Sequence, residues 1–123
     1  MTDTAPTDPF VQPTAYLVSC LPEGHDDRWT YSIRVTYRGD GLWSVQRRGQ
    51  YVDANGIPSP GFSWSGGPDE PATEAEMDSF DKEQAAWLAV HRFEHDTALR
   101  LAKELAPTLT YRGRSVADAL ATV

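Results

Sequence analysis

Trp29-Thr-Tyr-Ser-Ile-Arg-Val-Thr-Tyr37 is the stretch that decides the fold. Along it, Tyr31, Ile33, Val35 and Tyr37 point one way, while Ser32, Arg34, Thr36 and the following Arg38 point the other. A period of two built on β-branched and aromatic residues is how a half-buried antiparallel strand reads. Working outward, Arg38-Gly-Asp-Gly41 makes a turn and Leu42-Trp-Ser-Val-Gln-Arg47 returns, with Trp43 and Val45 on the inner face. Gly49-Gln-Tyr-Val52 and an extended Ile57 to Trp64 flank Asp53-Ala-Asn-Gly56. The Asn-Gly pair suits a hairpin because both positions tolerate positive φ. Pro58 and Pro60 restrict the second arm to an edge or to irregular structure. In the other direction, Ala15-Tyr-Leu-Val-Ser-Cys20 is a short β-rich run ended by Pro22 and Gly24. Residues 14–65 therefore read as a strand-rich antiparallel meander of three to five strands.

The chemistry changes at Ser65-Gly-Gly-Pro68. Seven acids and one lysine lie between Asp69 and Glu83, which places −6 of the net charge of −7 in one short segment. Residues 66–78 read as an acidic loop, with helix starting either near Ser79 or at Thr73, where Thr73-x-x-Glu76 fits a capping box. The apolar stripe Ala98, Leu101, Leu105 runs back onto Glu94, so the helical register slips near His91–His95. Two helices follow, about 80–91 and 96–106, the second capped by Asp96, with a kink or short extended piece between them. Pro107 ends the second helix. Thr108 to Arg112 reads as a short strand, Gly113 as a turn, and Ser115-Val-Ala-Asp118 as the cap of a last helix to Leu120.

The expected architecture is α+β: the meander packed on one face by two helices, with a short C-terminal strand and helix. Residues 1–13 read as a flexible leader, 14–123 as one domain whose helix-rich part is 79–123. The core is expected from Tyr31, Ile33, Val35, Trp43, Val45, Trp87, Leu99, Leu101 and Leu105.

Composition narrows the function classes. The 123 residues, 40% hydrophobic and 24% charged, suit a single globular domain. No apolar run approaches the ~18 residues of a membrane span. The start, Met1-Thr-Asp-Thr-Ala-Pro-Thr-Asp-Pro9, carries acid where a secretory signal carries base. The lone Cys20 fits a reducing cytoplasm. A charge of −7 disfavours phosphate backbones and anionic lipid as partners, so neither nucleic acid nor membrane is expected.

Several motifs carry chemistry on paper. His91-Arg-Phe-Glu-His95 matches the H-x-x-E-H pattern of inverted zinc peptidases, in which two histidines one helical turn apart hold zinc. Such a site needs a third ligand in a large cleft, and only 28 residues follow, with Asp96, Glu104 and Asp118 as their acids. The plainer reading is two histidines at a helix junction; a metal-dependent hydrolase using His91, Glu94 and His95 stays as an alternative. Cys20 and His25, with Asp26 or Asp27, would form a nucleophilic dyad only across Pro22 and Gly24, and Cys20 reads instead as a small buried hydrophobe. Gly39-x-Gly41 lies between strands, whereas a dinucleotide loop needs a strand-to-helix turn. No cofactor is implied.

Arg34, Arg38, Arg47 and Arg48, near Tyr and Trp, offer a second alternative, a single-strand nucleic-acid platform, against the plain reading of a solvated sheet face. The leading expectation is a non-enzymatic protein-binding module. Its interface is the acidic segment Asp69, Glu70, Glu74 and Glu76, with Trp64 as the tryptophan best placed for an exposed anchor and core burial as its competing fate. A homodimer through an edge strand is also open.

From Ala15 to about Leu120 the chain resembles small accessory proteins of actinobacterial phages, of the mycobacteriophage type. The resemblance lies in Gly41-Leu-Trp-Ser-Val-Gln-Arg-Arg48, Asp53-Ala-Asn-Gly56, Trp87-Leu-Ala-Val-His-Arg-Phe93, Thr97-Ala-Leu-Arg-Leu-Ala-Lys-Glu-Leu-Ala-Pro107 and Ser115-Val-Ala-Asp-Ala-Leu120. It implies a non-virion viral protein working in the bacterial cytoplasm, and the partner expected for the protein-binding module is a host or phage protein. It transfers no functional residues.

Overall fold

The alternation of 31–37 builds β2 (Ser32–Gly39), which pairs antiparallel with β1 (Ala15–Ser19) on one side and β3 (Leu42–Arg47) on the other. The computed structural model describes residues 7–67 and 69–121. Residues 1–6 of the expected leader, Pro68 of the acidic stretch and the last two residues lie outside the described residues. Residues 7–14 are exposed and carry no strand or helix. The meander continues through β4 (Gln50–Val52) and β5 (Pro58–Ser59), giving the order β1-β2-β3-β4-β5.

Each turn is made by the chemistry of its residues. Arg48 and Gly49 both take positive φ, 51° and 78°, between β3 and β4. In the next turn the Asp53 carboxylate accepts from the amides of Asn55 and Ile57, and Gly56 adopts φ 77°.

The inner face carries the core. Ile33, Val35 and Val45 are fully buried, and Tyr31 and Trp43 nearly so. Over them lies α2 (His95–Leu105), whose Ala98, Leu101 and Ala102 are buried and whose Leu99 and Leu105 pack partly against the same cluster. The helix begins at His95, with Glu94 in the cap position and no side-chain cap bond. Asp96, expected as the cap, instead meets the His95 ring at 2.9 Å. A 3₁₀ turn, Ala106–Thr108, follows, then the hairpin β7 (Thr110–Tyr111) and β8 (Arg114–Ser115). The Tyr31 hydroxyl donates to the Arg114 carbonyl, tying this hairpin to the sheet. Ser115 and Asp118 exchange backbone-to-side-chain hydrogen bonds at the start of α3 (Val116–Ala121), and hydrogen bonds to the carboxylate from the Ser115 amide first and its side chain second hold the Asp118 carboxyl below its ordinary range.

The acidic segment becomes helical earlier than a loop over 66–78 allows. Thr73 accepts from the Glu76 amide while Glu76 reaches back to the Thr73 amide, so α1 (Glu74–His91) starts at the capping box. The extended piece between the helices is a true strand, β6 (Phe93–Glu94), paired with Trp43 and Leu42 of β3.

The two helices meet different faces of the sheet. Cross-strand pairing aligns Leu17, Arg34, Gln46, Tyr51 and Ser59 in one row on the face opposite Val35 and Val45. Trp87 of α1 packs on Tyr51 in that row, ring centroids 5.3 Å apart, and its indole donates to Ser59. The expected single helical layer is thus α2 alone, and Trp87, expected in the main core, is half-buried on the outer face. The amphipathic spacing of a helix sets which of its own residues turn inward, not which side of a sheet receives them.

Two stability changes follow. Ile33→Ala removes a fully buried branched side chain under α2 and should lower unfolding free energy by about 2–5 kcal/mol in urea titration. Thr73→Ala removes one capping bond and should cost about 1 kcal/mol, with added amide exchange confined to the first turn of α1.

Candidate functional site

A groove opens between the segment after β5 and the first half of α1. Its walls include Trp64, Pro71, Met77 and Phe80, and Asp69, Glu70 and Asp81 stand among them; its volume is about 560 Å³. The segment is held in place by several contacts. The Ser65 amide and hydroxyl both donate to the Glu83 carboxylate at 2.8 Å, pinning the loop to α1. The Trp64 indole N–H donates to the Asp69 carbonyl at 3.1 Å and its ring stands edge-on to Phe80. At Gly66 an added Cβ would come within 2.1 Å of the Trp64 ring, so the indole lies on bare backbone. Phe62 continues the aromatic run, touching Phe80 at 5.3 Å and Trp87 at 6.4 Å.

Of the five expected interface residues, the fold brings together Trp64, Asp69 and Glu70. Trp64 is half-buried as a wall of the groove, not an exposed anchor. Glu74 and Glu76 sit in the first turn of α1, with Glu76 engaged in the capping box. Acids there are stabilised by the helix dipole. The groove also includes Met77, expected in the acidic loop 66–78, and Phe80 and Asp81, expected in helix, none of them with a role; their i, i+3, i+4 spacing was the available signal.

The H-x-x-E-H residues part company because the helix ends between them. His91 is buried, stacked on Trp87 at 4.2 Å, with Nδ1 against the Trp87 carbonyl at 2.8 Å. Glu94 lies exposed in β6, and Arg92 before it has extended backbone. His95 faces the inner side, where Nε2 meets the Tyr16 hydroxyl at 3.0 Å and Nδ1 meets Asp96. Zinc binding by this motif requires both histidines on one helical face. Among the described residues no three His, Cys, Asp or Glu groups converge as metal ligands.

The Tyr16–His95–Asp96 chain joins residues 79 positions apart, beyond the reach of any local pattern. Tyr16, Tyr37 and His95 all ring Trp43 at 5.1–5.4 Å, so the arrangement closes one end of the core. Cys20, expected to be buried, is exposed, and Leu21 takes the inward position beside it. His25 bonds the Ala119 carbonyl and the Asp27 amide, and so orients the loop before β2.

The four arginines divide as well. Arg34 and Arg38 share the outer face, whereas alternation along β3 sends Arg47 to the other. Arg48 reaches the Thr110 carbonyl at 2.8 Å and stacks on Tyr111 at 4.5 Å. Trp29, read as the start of a strand, lies instead in the loop before it. It is 70% exposed, beside a depression shared by Leu17, Arg34 and Arg48.

Glu83→Ala should release the Ser65 amide and hydroxyl together. Hydrogen exchange should then rise at Ser65 and its neighbours, while the sheet amides keep their protection. No protein-family model matches the chain, and no curated protein or solved structure is significantly similar to it.

Proposed function

We propose that this protein is a non-enzymatic docking module that receives a segment of another protein in the groove between Trp64 and α1. One observation supports the reading above the others. Apolar side chains, Trp64, Pro71, Met77 and Phe80, lie among three carboxylates, Asp69, Glu70 and Asp81. Met77 is 53% exposed, an apolar side chain whose burial by a partner is favourable. An apolar surface with an acidic rim fits a partner segment that inserts a large apolar side chain flanked by Lys or Arg. Because Trp64 lines the groove, the anchoring side chain is the partner's. The surrounding acids, amounting to −6 between Asp69 and Glu83, steer a basic partner by long-range attraction.

The partner in this reading is a cytoplasmic protein of the host or of the phage, in keeping with the resemblance in sequence. Among the described residues no helix is long and apolar enough to cross a membrane.

A labelled synthetic peptide bearing a central Leu or Phe flanked by two lysines on each side probes the groove directly by fluorescence anisotropy. Saturable binding is expected, weakening with salt, and weakening about tenfold or more in Asp69→Asn/Glu70→Gln and in Met77→Ala. Binding that is equal in the native and altered proteins would sink the proposal.

A further inference from the structure

A second site of opposite charge lies on the outer face of the sheet. The guanidinium carbons of Arg38 and Arg92 each stand 5.5 Å from the centroid of the Tyr51 ring, so the two cations share one aromatic neighbour. Both are held in place by neutral groups. Arg38 donates through Nε to the buried Ser44 hydroxyl at 2.9 Å, and through Nη2 to Gln46 and the Tyr51 hydroxyl. Arg92 donates through Nη1 to the His91 carbonyl and lies 5.5 Å from the Trp87 ring. Neither forms an ion pair with a carboxylate among the described residues, in a chain with 18 acids and 11 Lys and Arg. Nη1 of Arg38 and Nη2 of Arg92 have no acceptor among those residues.

Both like charges line one cleft and repel, and burial adds to the cost at Arg92. Burial first and the charge of Arg38 second hold the Arg92 guanidinium below its ordinary value. A dianion lying between them would relieve both effects and take the free donors in charge-assisted hydrogen bonds. Beside the pair is a cleft of about 480 Å³ whose other walls include Leu42 and Leu88, with Asp40 at its edge. That is room for a small organic group on apolar surface. Asp40 is the one carboxylate among the cleft's lining residues. It sits at φ 54° in the turn between β2 and β3 and pairs with neither guanidinium.

We propose that this cleft binds a small phosphomonoester, its phosphate bridged by Arg38 and Arg92 and its organic group along Leu42 and Leu88. Two guanidiniums match the double charge of a phosphate monoester better than the single charge of a carboxylate. The unengaged Nη1 of Arg38 and Nη2 of Arg92 can each donate to one of its several oxygens.

Phenyl phosphate is the probe, titrated by amide chemical shift on the full chain, with inorganic phosphate, benzoate and sodium chloride at equal ionic strength as comparisons. Phenyl phosphate should saturate, with shifts at Tyr51, Leu42 and Leu88, and bind more tightly than phosphate or benzoate. Arg92→Gln should weaken it about ten- to a hundredfold, and Asp40→Asn should tighten it. Arg92→Gln is the principal variant because Arg38 also supports Ser44. Its melting temperature, alongside the native value, shows that the fold persists. Absence of saturation by about 10 mM, shifts equal to those from sodium chloride, or affinity unchanged in Arg92→Gln would each overturn the assignment.

Discussion

The pairing of Phe93 and Glu94 with Trp43 and Leu42 is the constraint on which the rest of the molecule depends. β3 has one edge on β2; its other edge is divided, with β4 on Gln46 and Arg47 and β6 on Leu42 and Trp43. A chain that enters that edge as a strand must leave α1 before it and begin α2 after it. Strand alternation then sets Phe93 toward the core and Arg92 toward the opposite side. The helices are carried to different faces by two residues. The same two residues separate His91 from His95, set Trp87 on Tyr51, and bring Arg92 beside Arg38.

Charge is divided between two places. The acids of 69–83 gather on α1 and the segment before it, where a capping box and a helix N-terminus accommodate them, and where three of them stand in the groove lined by Trp64. The outer sheet face holds Arg38 and Arg92 among aromatic rings and neutral acceptors. A net charge of −7 describes neither place. Among the described residues neither place forms an ion pair, so each keeps the sign of its own side chains.

Sequence motifs fared according to whether they needed a continuous element. The Thr73–Glu76 capping box, the Asn55-Gly56 turn and the Ser115–Asp118 cap each involve neighbours within four residues, and each forms. H-x-x-E-H needs an unbroken helix across five residues, and the register slip at Glu94 was already the sign that none would run there. The exposed position of Cys20 and the turn at Trp29 show the limit of composition at strand ends, where one residue's shift exchanges inside for outside.

What the amino-acid order determined by itself was local and periodic. The alternation from Tyr31 to Tyr37, the stripe from Ala98 to Leu105 and the break between the helices are properties of neighbouring residues, and they sufficed for an antiparallel α+β fold with Tyr31, Ile33, Val35, Trp43, Val45 and Leu101 in its core. Which face of the sheet α1 would take, the half-burial of Trp64, the contact of Tyr16 with His95 and the meeting of Arg38 with Arg92 were decided only in three dimensions. Each joins residues that no helical or strand period relates, and each depends on which free edge a two-residue strand finds. Such a choice rests on the packing of the whole chain, and short-range propensity carries no record of it.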